Sequence, residues 1–181
     1  DSYKGDEIKN VETDKNGEAV FKLVPYGEYI VKEIKTGDAY ILPDKGHDVS
    51  LSEQTVKKEK DGKKTFTIEL ENKLKRGTIK IHKIDNTTKK TALKGIEFTI
   101  YDKTGNKVGD SKVTDENGNV QFENIPYGEY VLRETKGISG YEKLKKDISV
   151  KVLKDKEIYS FEVINNKINP KINLSGDKIW D

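Results

Sequence analysis

Apolar and polar residues alternate along most of this chain in short runs, which are separated by Asn-Gly, Asp-Gly and Pro-x-Gly turn sequences. Alternation with a period of two is typical of strands that bury one face. Helical periodicity is hard to find in the sequence. Many short strands with regular turn signals predict a β-sandwich, so we expect an all-β fold of immunoglobulin-like sandwiches.

One stretch occurs twice, as PYGEYIVKE at residues 25–33 and as PYGEYVLRE at residues 126–134. In each copy a turn leads into a strand. A Thr-Asp-x-Asn-Gly turn precedes both copies, at residues 13–17 and 114–118. A repeat with this period predicts two related domains in tandem, joined by the short basic linker at 73–77. A linker this short favours domains stacked end to end.

The second domain, expected at residues 76–168, contains seven predicted strands. They span residues 78–84, 96–101, 112–114, 120–124, 129–135, 147–153 and 159–165. The first domain, at residues 1–75, is expected to end in a corresponding strand over residues 65–72, because TFTIELEN resembles YSFEVIN near residue 165.

Three strands of the second domain end their apolar face in a polar residue. Lys83 shares its face with two isoleucines, Glu134 with a tyrosine and a leucine, and Asn165 with a phenylalanine and a valine. A buried charge is costly, so each of these groups needs a partner or a neutral form. Alternation alone leaves a second interpretation open, in which the three residues lie in a solvated network at the rim of a sheet.

Composition excludes several classes of function. The 181 residues include 34 Lys and Arg and 32 Asp and Glu, and the two signs are interspersed, so no basic patch for nucleic acid stands out. Cysteine is absent, which excludes disulfides. No apolar run is long enough to span a membrane in this fragment. No phosphate-binding loop or nucleophile–histidine–acid set is present, so we expect no cofactor.

The sequence also indicates no metal site. The two histidines, His47 and His82, are far apart. Two segments beginning at Asp14 and Asp115 superficially resemble calcium loops. However, both have proline at the twelfth position, where an EF-hand needs a bidentate glutamate, and Asn-Gly hairpin turns explain them.

The ordered motifs resemble the collagen-adhesin B-type (Cna B) domains, the stalk modules of Gram-positive surface adhesins and pilins. The motifs are GTIKIHKID, GIEFTIYDKTGNKV, TDENGNVQFENIPYGEYVLRET, SGY and FEVINN. The resemblance covers residues 77–167 and most of residues 6–73. One departure is KGISGY, which stands where the family usually has a turn containing Ala-Pro.

The resemblance implies a spontaneous intramolecular isopeptide bond between Lys83 and Asn165, with Glu134 as the catalytic acid. Burial favours a neutral amine nucleophile and a protonated carboxyl group, which would hydrogen-bond the carboxamide oxygen of the asparagine. Each domain would react once with itself, so the protein would not be an enzyme in the usual sense.

The first domain has a corresponding glutamate, Glu33, and asparagine, Asn72, but lacks the first two strands and therefore the reactive lysine. The tail at 169–181 resembles a linker and the first strand of a further domain, in which Lys178 corresponds to Lys83. One explanation is a fragment of a tandem array that is cut inside both flanking domains. The other is strand exchange, in which the tail of one chain completes the first domain of another and links Lys178 to Asn72 beside Glu33. Such head-to-tail contacts would build a filament.

The sequence therefore predicts a non-enzymatic stalk module on the extracellular, cell-wall-attached surface of a Gram-positive bacterium. Its expected partners are neighbouring domains of the same array, with possible head-to-tail self-association. The alternative is a ligand-binding adhesin domain that recognises a host protein or glycan, with the ligand itself unknown.

Overall fold

A computed structural model describes residues 9–169 and residue 175 of the chain. The described residues form thirteen strands and no helix. The strands are β1 (Gly27–Val31), β2 (Tyr40–Ile41), β3 (His47–Leu51), β4 (Lys57–Lys58), β5 (Lys64–Thr65), β6 (Lys73–Leu74), β7 (Arg76–Asp85), β8 (Glu97–Asp102), β9 (Lys112–Val113), β10 (Asn119–Pro126), β11 (Gly128–Lys136), β12 (Ile148–Val152) and β13 (Ile158–Asn165).

The chain divides into two compact units. The first unit comprises Asp1–Lys35 and Leu42–Glu71, and the second comprises Thr36–Ile41 and Asn72–Asp181. The expected boundary near residue 75 falls between β6 and β7. The expected further strand in the tail, with Lys178, lies outside the described residues.

The second unit contains two sheets that confirm the predicted sandwich. One sheet has the order β10-β7-β13, and the other has the order β12-β11-β8-β9. All seven predicted strands are present as β7 to β13. The first and last of them, β7 and β13, are parallel neighbours, whereas the other pairs are antiparallel. A short ladder of β2 with β6 belongs to the same unit.

The core of this unit lies between the two sheets, because alternate residues of every long strand point inwards. These residues are aliphatic or aromatic and almost completely buried. They are Ile79, Ile81, Leu93, Ile96, Phe98, Ile100, Val120, Phe122, Ile125, Tyr130, Leu132, Val150, Val152 and Val163.

The repeated PYGEY stretch forms the same corner in both units. The Tyr130 hydroxyl donates to the Pro126 carbonyl at 2.7 Å, and the Tyr29 hydroxyl donates to the Pro25 carbonyl at 2.9 Å. In each corner the tyrosine ring lies against the intervening glycine, where a Cβ would meet it at 3.2–3.5 Å. The tyrosine thus packs on the glycine at ordinary contact distance in the first copy and slightly more tightly in the second.

The first unit contains two short antiparallel pairs, β1 with β3 and β4 with β5. The predicted strand over 65–72 is wrong, because β5 ends at Thr65 and the following residues up to 72 are not in a strand. A strand needs a neighbour for its backbone groups. In the second unit β13 lies beside β7, and residues 9–26 of the first unit contain no strand that could play this part.

Within the described part of the chain, Asp-initiated turns occur three times with the same hydrogen bonds, and the two Asn-Gly turns predicted from the sequence are among them. The carboxylates of Asp14, Asp102 and Asp115 each accept bonds from backbone N–H groups two and four residues further along the chain. Each turn has a glycine with positive φ at its fourth position, because that position needs the left-handed conformation.

One of these turns supports the backbone of Lys83. The Gly118 carbonyl accepts from the Lys83 N–H at 2.7 Å. A Cβ added to Gly118 would lie 2.3 Å from the Lys83 carbonyl oxygen, whereas one added to Gly105 would meet nothing within 4 Å. The absence of a side chain at Gly118 is therefore what lets the turn approach β7.

We predict that Gly118→Ala destabilises the protein more than Gly105→Ala does. Both variants place alanine at positive φ, which costs roughly 1–2 kcal/mol. Only Gly118→Ala forces a clash with the backbone, which adds about 1–3 kcal/mol. Denaturant unfolding measures both free energies, and equal losses would contradict the supporting role of this turn.

Candidate functional site

The parallel pairing of β7 and β13 brings Lys83 and Asn165 to the same end of one sheet. Lys83 is level with Val163, and Asn165 is level with Asp85. Both side chains follow apolar inward-facing residues, so both point into the sandwich. The lysine stem is long enough to cover the offset of two residues along the strands.

Glu134 reaches the same place from the opposite sheet. It follows Tyr130 and Leu132 on the inward face of β11, as the alternation predicts, and faces Phe98 of β8 in the sheet register. The exposed fractions of Lys83, Glu134 and Asn165 are 0%, 1% and 2%. The solvated-rim interpretation is therefore wrong, since all three side chains are shielded from water.

The three side chains are in direct contact. Lys83 Nζ lies 2.5 Å from Asn165 Oδ1 and 3.3 Å from the Val163 carbonyl oxygen. Asn165 Nδ2 donates to Glu134 Oε1 at 3.0 Å, and Lys83 Nζ lies 3.7 Å from Glu134 Oε2. The glutamate thus contacts the carboxamide nitrogen, whereas the sequence-based expectation had it bonded to the carboxamide oxygen, which is taken by the amine.

The site makes the neutral form of the Lys83 amine easier to reach than it is in water. Burial lowers the pKa of Lys83 from its ordinary value of 10.5 to about 8, even though the neighbouring Glu134 carboxylate acts in the opposite direction. Glu134 Oε2 accepts no hydrogen bond from any described residue. A buried polar atom without a hydrogen bond is uncommon, and reactive sites are one place where it occurs.

The amine is close to the carbon that it would attack. Since a carbonyl bond is about 1.2 Å long, Lys83 Nζ lies within about 3.7 Å of the Asn165 carboxamide carbon. Reacting atoms in a near-attack geometry are about 3–3.5 Å apart. The Glu134 carboxyl group spans both nitrogens that must exchange a proton, with one oxygen beside each.

Glu33 and Asn72, the corresponding residues predicted for the first domain, have different surroundings. Glu33 is half-buried, and Asn72 is exposed and donates to the Thr36 hydroxyl at 3.0 Å. Lys178 lies outside the described residues. The intermolecular link between Lys178 and Asn72 beside Glu33 therefore stays a prediction.

Two residues near the site could not be assigned from the sequence alone. Gly118 was recognisable only as a turn residue, and nothing in its turn indicates which strand the turn touches. Tyr141 belongs to the SGY motif, but its contact with Asp85 joins residues 56 positions apart. Contacts of this range leave no periodic signal in the sequence.

The described part of the chain has neither a metal site nor a membrane helix. Within it, no group of three or more His, Asp or Glu side chains is arranged to hold a metal ion. It also contains no helix with the length and apolar character needed to cross a membrane.

Solved structures of other proteins resemble this chain. The Bacillus anthracis TIE protein is 30% identical, with a TM-score of 0.73 over 88% of this chain and 28% of that protein. BcpA, the major pilin subunit of Bacillus cereus, is 33% identical, with a TM-score of 0.48 over 52% of this chain and 31% of that protein. GBS52, the minor pilin of Streptococcus agalactiae, is 21% identical, with a TM-score of 0.49 over 91% of this chain and 71% of that protein.

The chain thus spans less than a third of the TIE protein and of BcpA. No curated protein sequence is significantly similar to it. The family model described as the SpaA prealbumin-like fold domain matches residues 2–67 and 77–167, which are the two regions where the repeat lies. This match and the sandwich confirm the resemblance to Cna B domains, and the chain belongs to the SpaA prealbumin-like domain family.

Proposed function

We propose that this chain is a structural module of a cell-surface pilin or adhesin, stabilised by an isopeptide bond between Lys83 and Asn165 with Glu134 as the catalytic acid. One observation carries the proposal. An amine, a carboxamide and a carboxyl group are completely buried and lie within 2.5–3.7 Å of one another. Three such groups do not stabilise a core as apolar side chains do, because burying them costs free energy.

The reaction needs no other reagent. The Lys83 Nζ lone pair attacks the Asn165 carboxamide carbon, so that an Nζ–Cγ bond forms and the Cγ–Nδ2 bond breaks. Glu134 supplies a proton to the departing Nδ2 and recovers one from Nζ, and one ammonia molecule leaves. Folding supplies the proximity, which can contribute about 7–11 kcal/mol towards lowering such a barrier.

The bond would join the first and last strands of the sandwich. Lys83 and Asn165 are 82 residues apart, so the bond closes a loop of nearly the whole unit. If it acts on the unfolded chain as a disulfide does, it stabilises the fold by roughly 4–5 kcal/mol. Pulling force would pass from β7 directly to the end of β13, and the intervening strands would carry none of it.

Membership of the SpaA family and the resemblance to Cna B stalk modules support a place on the bacterial surface. In that setting, the module acts once on itself and then serves as a rigid link between neighbouring domains of a longer array. The absence of cysteine from the sequence fits this role, since the isopeptide bond takes the place of a disulfide staple.

The intact mass of the purified protein tests the bond. We expect the wild-type mass to be lower than the sequence mass by one ammonia molecule, and Lys83→Ala to show its full sequence mass. Lys80→Ala is the matched control, because Lys80 lies on the same strand but is exposed on the other face. A wild-type protein with its full mass would overturn the proposal.

Replacement of the acid tests the role of Glu134. We expect Glu134→Gln to slow bond formation by about 10²- to 10⁴-fold, the usual contribution of a positioned acid or base. Glu129→Gln is the control, because Glu129 lies on the outer face of the same strand and pairs with Lys103 and Lys151. Mass spectrometry of protein sampled over time gives both rates, and an unchanged rate in Glu134→Gln would remove this residue from the mechanism.

The pH dependence of bond formation tests whether Glu134 enters the reaction as an acid. In that case Lys83 and Glu134 must keep one proton between them. Because burial lowers the pKa of Lys83 to about 8, that proton is lost above about pH 8 rather than above 10.5. The rate should therefore fall about tenfold per pH unit above this point.

The rate can be followed with a chain assembled from synthetic segments under denaturing conditions, so that it has never folded. Dilution into buffers of different pH starts folding and the reaction together, and the loss of ammonia is followed by mass. A rate that keeps rising through pH 8 would show that Glu134 reacts from its ionised form, which contradicts the acid assignment.

A further inference from the structure

The segment between β11 and β12, residues 137–144, runs past the reactive end of the sandwich. Its side chains Ile138, Tyr141 and Leu144 pack against the core. We call residues 137–144 the strap. The strap contacts three other segments of the chain. These segments directly follow Lys83, Glu134 and Asn165 in the sequence.

The first attachment is beside Lys83. The Tyr141 hydroxyl donates to Asp85 Oδ2 at 3.3 Å. Asp85 is two residues beyond Lys83, is itself buried, and is level with Asn165 in the register of β7 and β13. Its other oxygen, Oδ1, accepts from the Thr87 and Thr91 N–H groups, so the acceptor is held rigidly.

The second attachment is beside Asn165. The Glu142 N–H donates to the Asn166 carbonyl, and the Ile168 N–H donates to the Gly140 carbonyl, both at 2.8 Å. Tyr141 therefore forms an antiparallel bridge with Lys167, directly after the end of β13. The strap thus pairs, through backbone hydrogen bonds, with the residues that directly follow Asn165.

The third attachment is beside Glu134. Lys143 Nζ donates to the Thr135 carbonyl at 3.0 Å. The Gly137 backbone lies so close to the carboxyl group that an added Cβ would be 3.3 Å from Glu134 Oε1. The strap thus begins against the glutamate and is tied back to the strand that carries it.

We infer that the strap fixes the relative positions of Lys83, Glu134 and Asn165 and excludes water from them, with Tyr141 as a positioning residue for the bond-forming reaction. This inference rests on the proposed isopeptide bond. Lys83 and Glu134 come from different sheets, and no backbone hydrogen bond between their strands sets their separation. Tyr141 supplies a connection, because it belongs to the chain that leaves β11 and is bonded to Asp85 at the end of β7.

Precise placement matters for this chemistry. An error of about 1 Å in the position of a reacting group can cost about a hundredfold in rate. Water in the site would also hydrate the amine and weaken the interaction of Glu134 with both nitrogens. Loosening the strap should therefore reduce the reaction rate more than it reduces the stability of the fold.

The test compares Tyr141→Phe with Tyr159→Phe in the full chain. Tyr159 also packs against the core, and its hydroxyl accepts from the Leu153 and Lys154 N–H groups at 2.8 and 3.0 Å. It lies six residues before Asn165 on β13, which places it about 20 Å from the site. Both variants keep the ring and lose only hydroxyl contacts, so both should fold.

Two measurements are made on each protein. The first is the rate of ammonia loss after dilution of never-folded chain into native buffer, with folding followed by circular dichroism. The second is the rate at which the N–H proton of the isopeptide bond exchanges with solvent, observed by NMR after labelling lysine with a heavy nitrogen isotope. The second signal reports water access at Lys83 itself, and general stability alone does not determine it.

We expect Tyr141→Phe to form the bond about ten- to a hundredfold more slowly than wild type and to exchange this proton about tenfold faster or more. Tyr159→Phe should match wild type in both, although it loses similar stability. Wild-type behaviour of Tyr141→Phe, or equal effects in the two variants, would overturn the inference while leaving the isopeptide bond intact. A wild-type chain that loses no ammonia would instead overturn the proposed function.

Discussion

The burial of one amine between two sheets is the constraint on which this structure depends. A lysine ammonium and a carboxylate in the interior cost several kcal/mol each to desolvate, and their mutual attraction only partly offsets this. The separation of 3.7 Å between Lys83 Nζ and Glu134 Oε2 is long for an ion pair, and Oε2 has no hydrogen-bond donor among the described residues. Burial of the unreacted site therefore lowers the stability of the fold, and the rest of the core must offset this cost. In the proposed reaction the amine and the carboxamide become a neutral amide and Glu134 recovers its proton. No charged group then remains in this part of the interior, so the cost of burying the unreacted groups favours the reaction.

The surrounding architecture keeps that amine in place. Parallel pairing of β7 with β13 aligns Lys83 with the end of the last strand, and the turn at Gly118 holds the lysine backbone from the other side through its carbonyl. The apolar residues that precede Lys83, Glu134 and Asn165 on their strands bury the end of the sandwich where these three side chains meet. Removal of large residues from this layer would act on the chemistry indirectly, since water would enter before the fold was lost.

Much of the second unit could be predicted because alternation determines which face a residue occupies. This is why all seven strands and the inward positions of Lys83, Glu134 and Asn165 were predicted correctly. Alternation does not identify the neighbour of a strand, so it could not predict the contact of Tyr141 with Asp85. It also does not determine how a carboxamide is turned, and the expected hydrogen bond of Glu134 to the carboxamide oxygen of Asn165 was wrong. The strand expected over 65–72 shows the same limit, because its alternating residues indicate a face but provide no partner strand.

Comparison of the two units separates what a local motif determines from what the core determines. Both copies of PYGEY close the same hydroxyl-to-carbonyl corner. Tyr130 belongs to a large core, whereas Val49 is the one buried apolar residue in the described part of the first unit. The motif therefore builds its corner whether or not a complete sandwich surrounds it. Desolvation is different, because it needs both sheets. A glutamate at the end of the same motif is almost completely buried in the second unit and only half-buried in the first, so the reactivity of this position comes from the flanking strands and not from the motif that carries it.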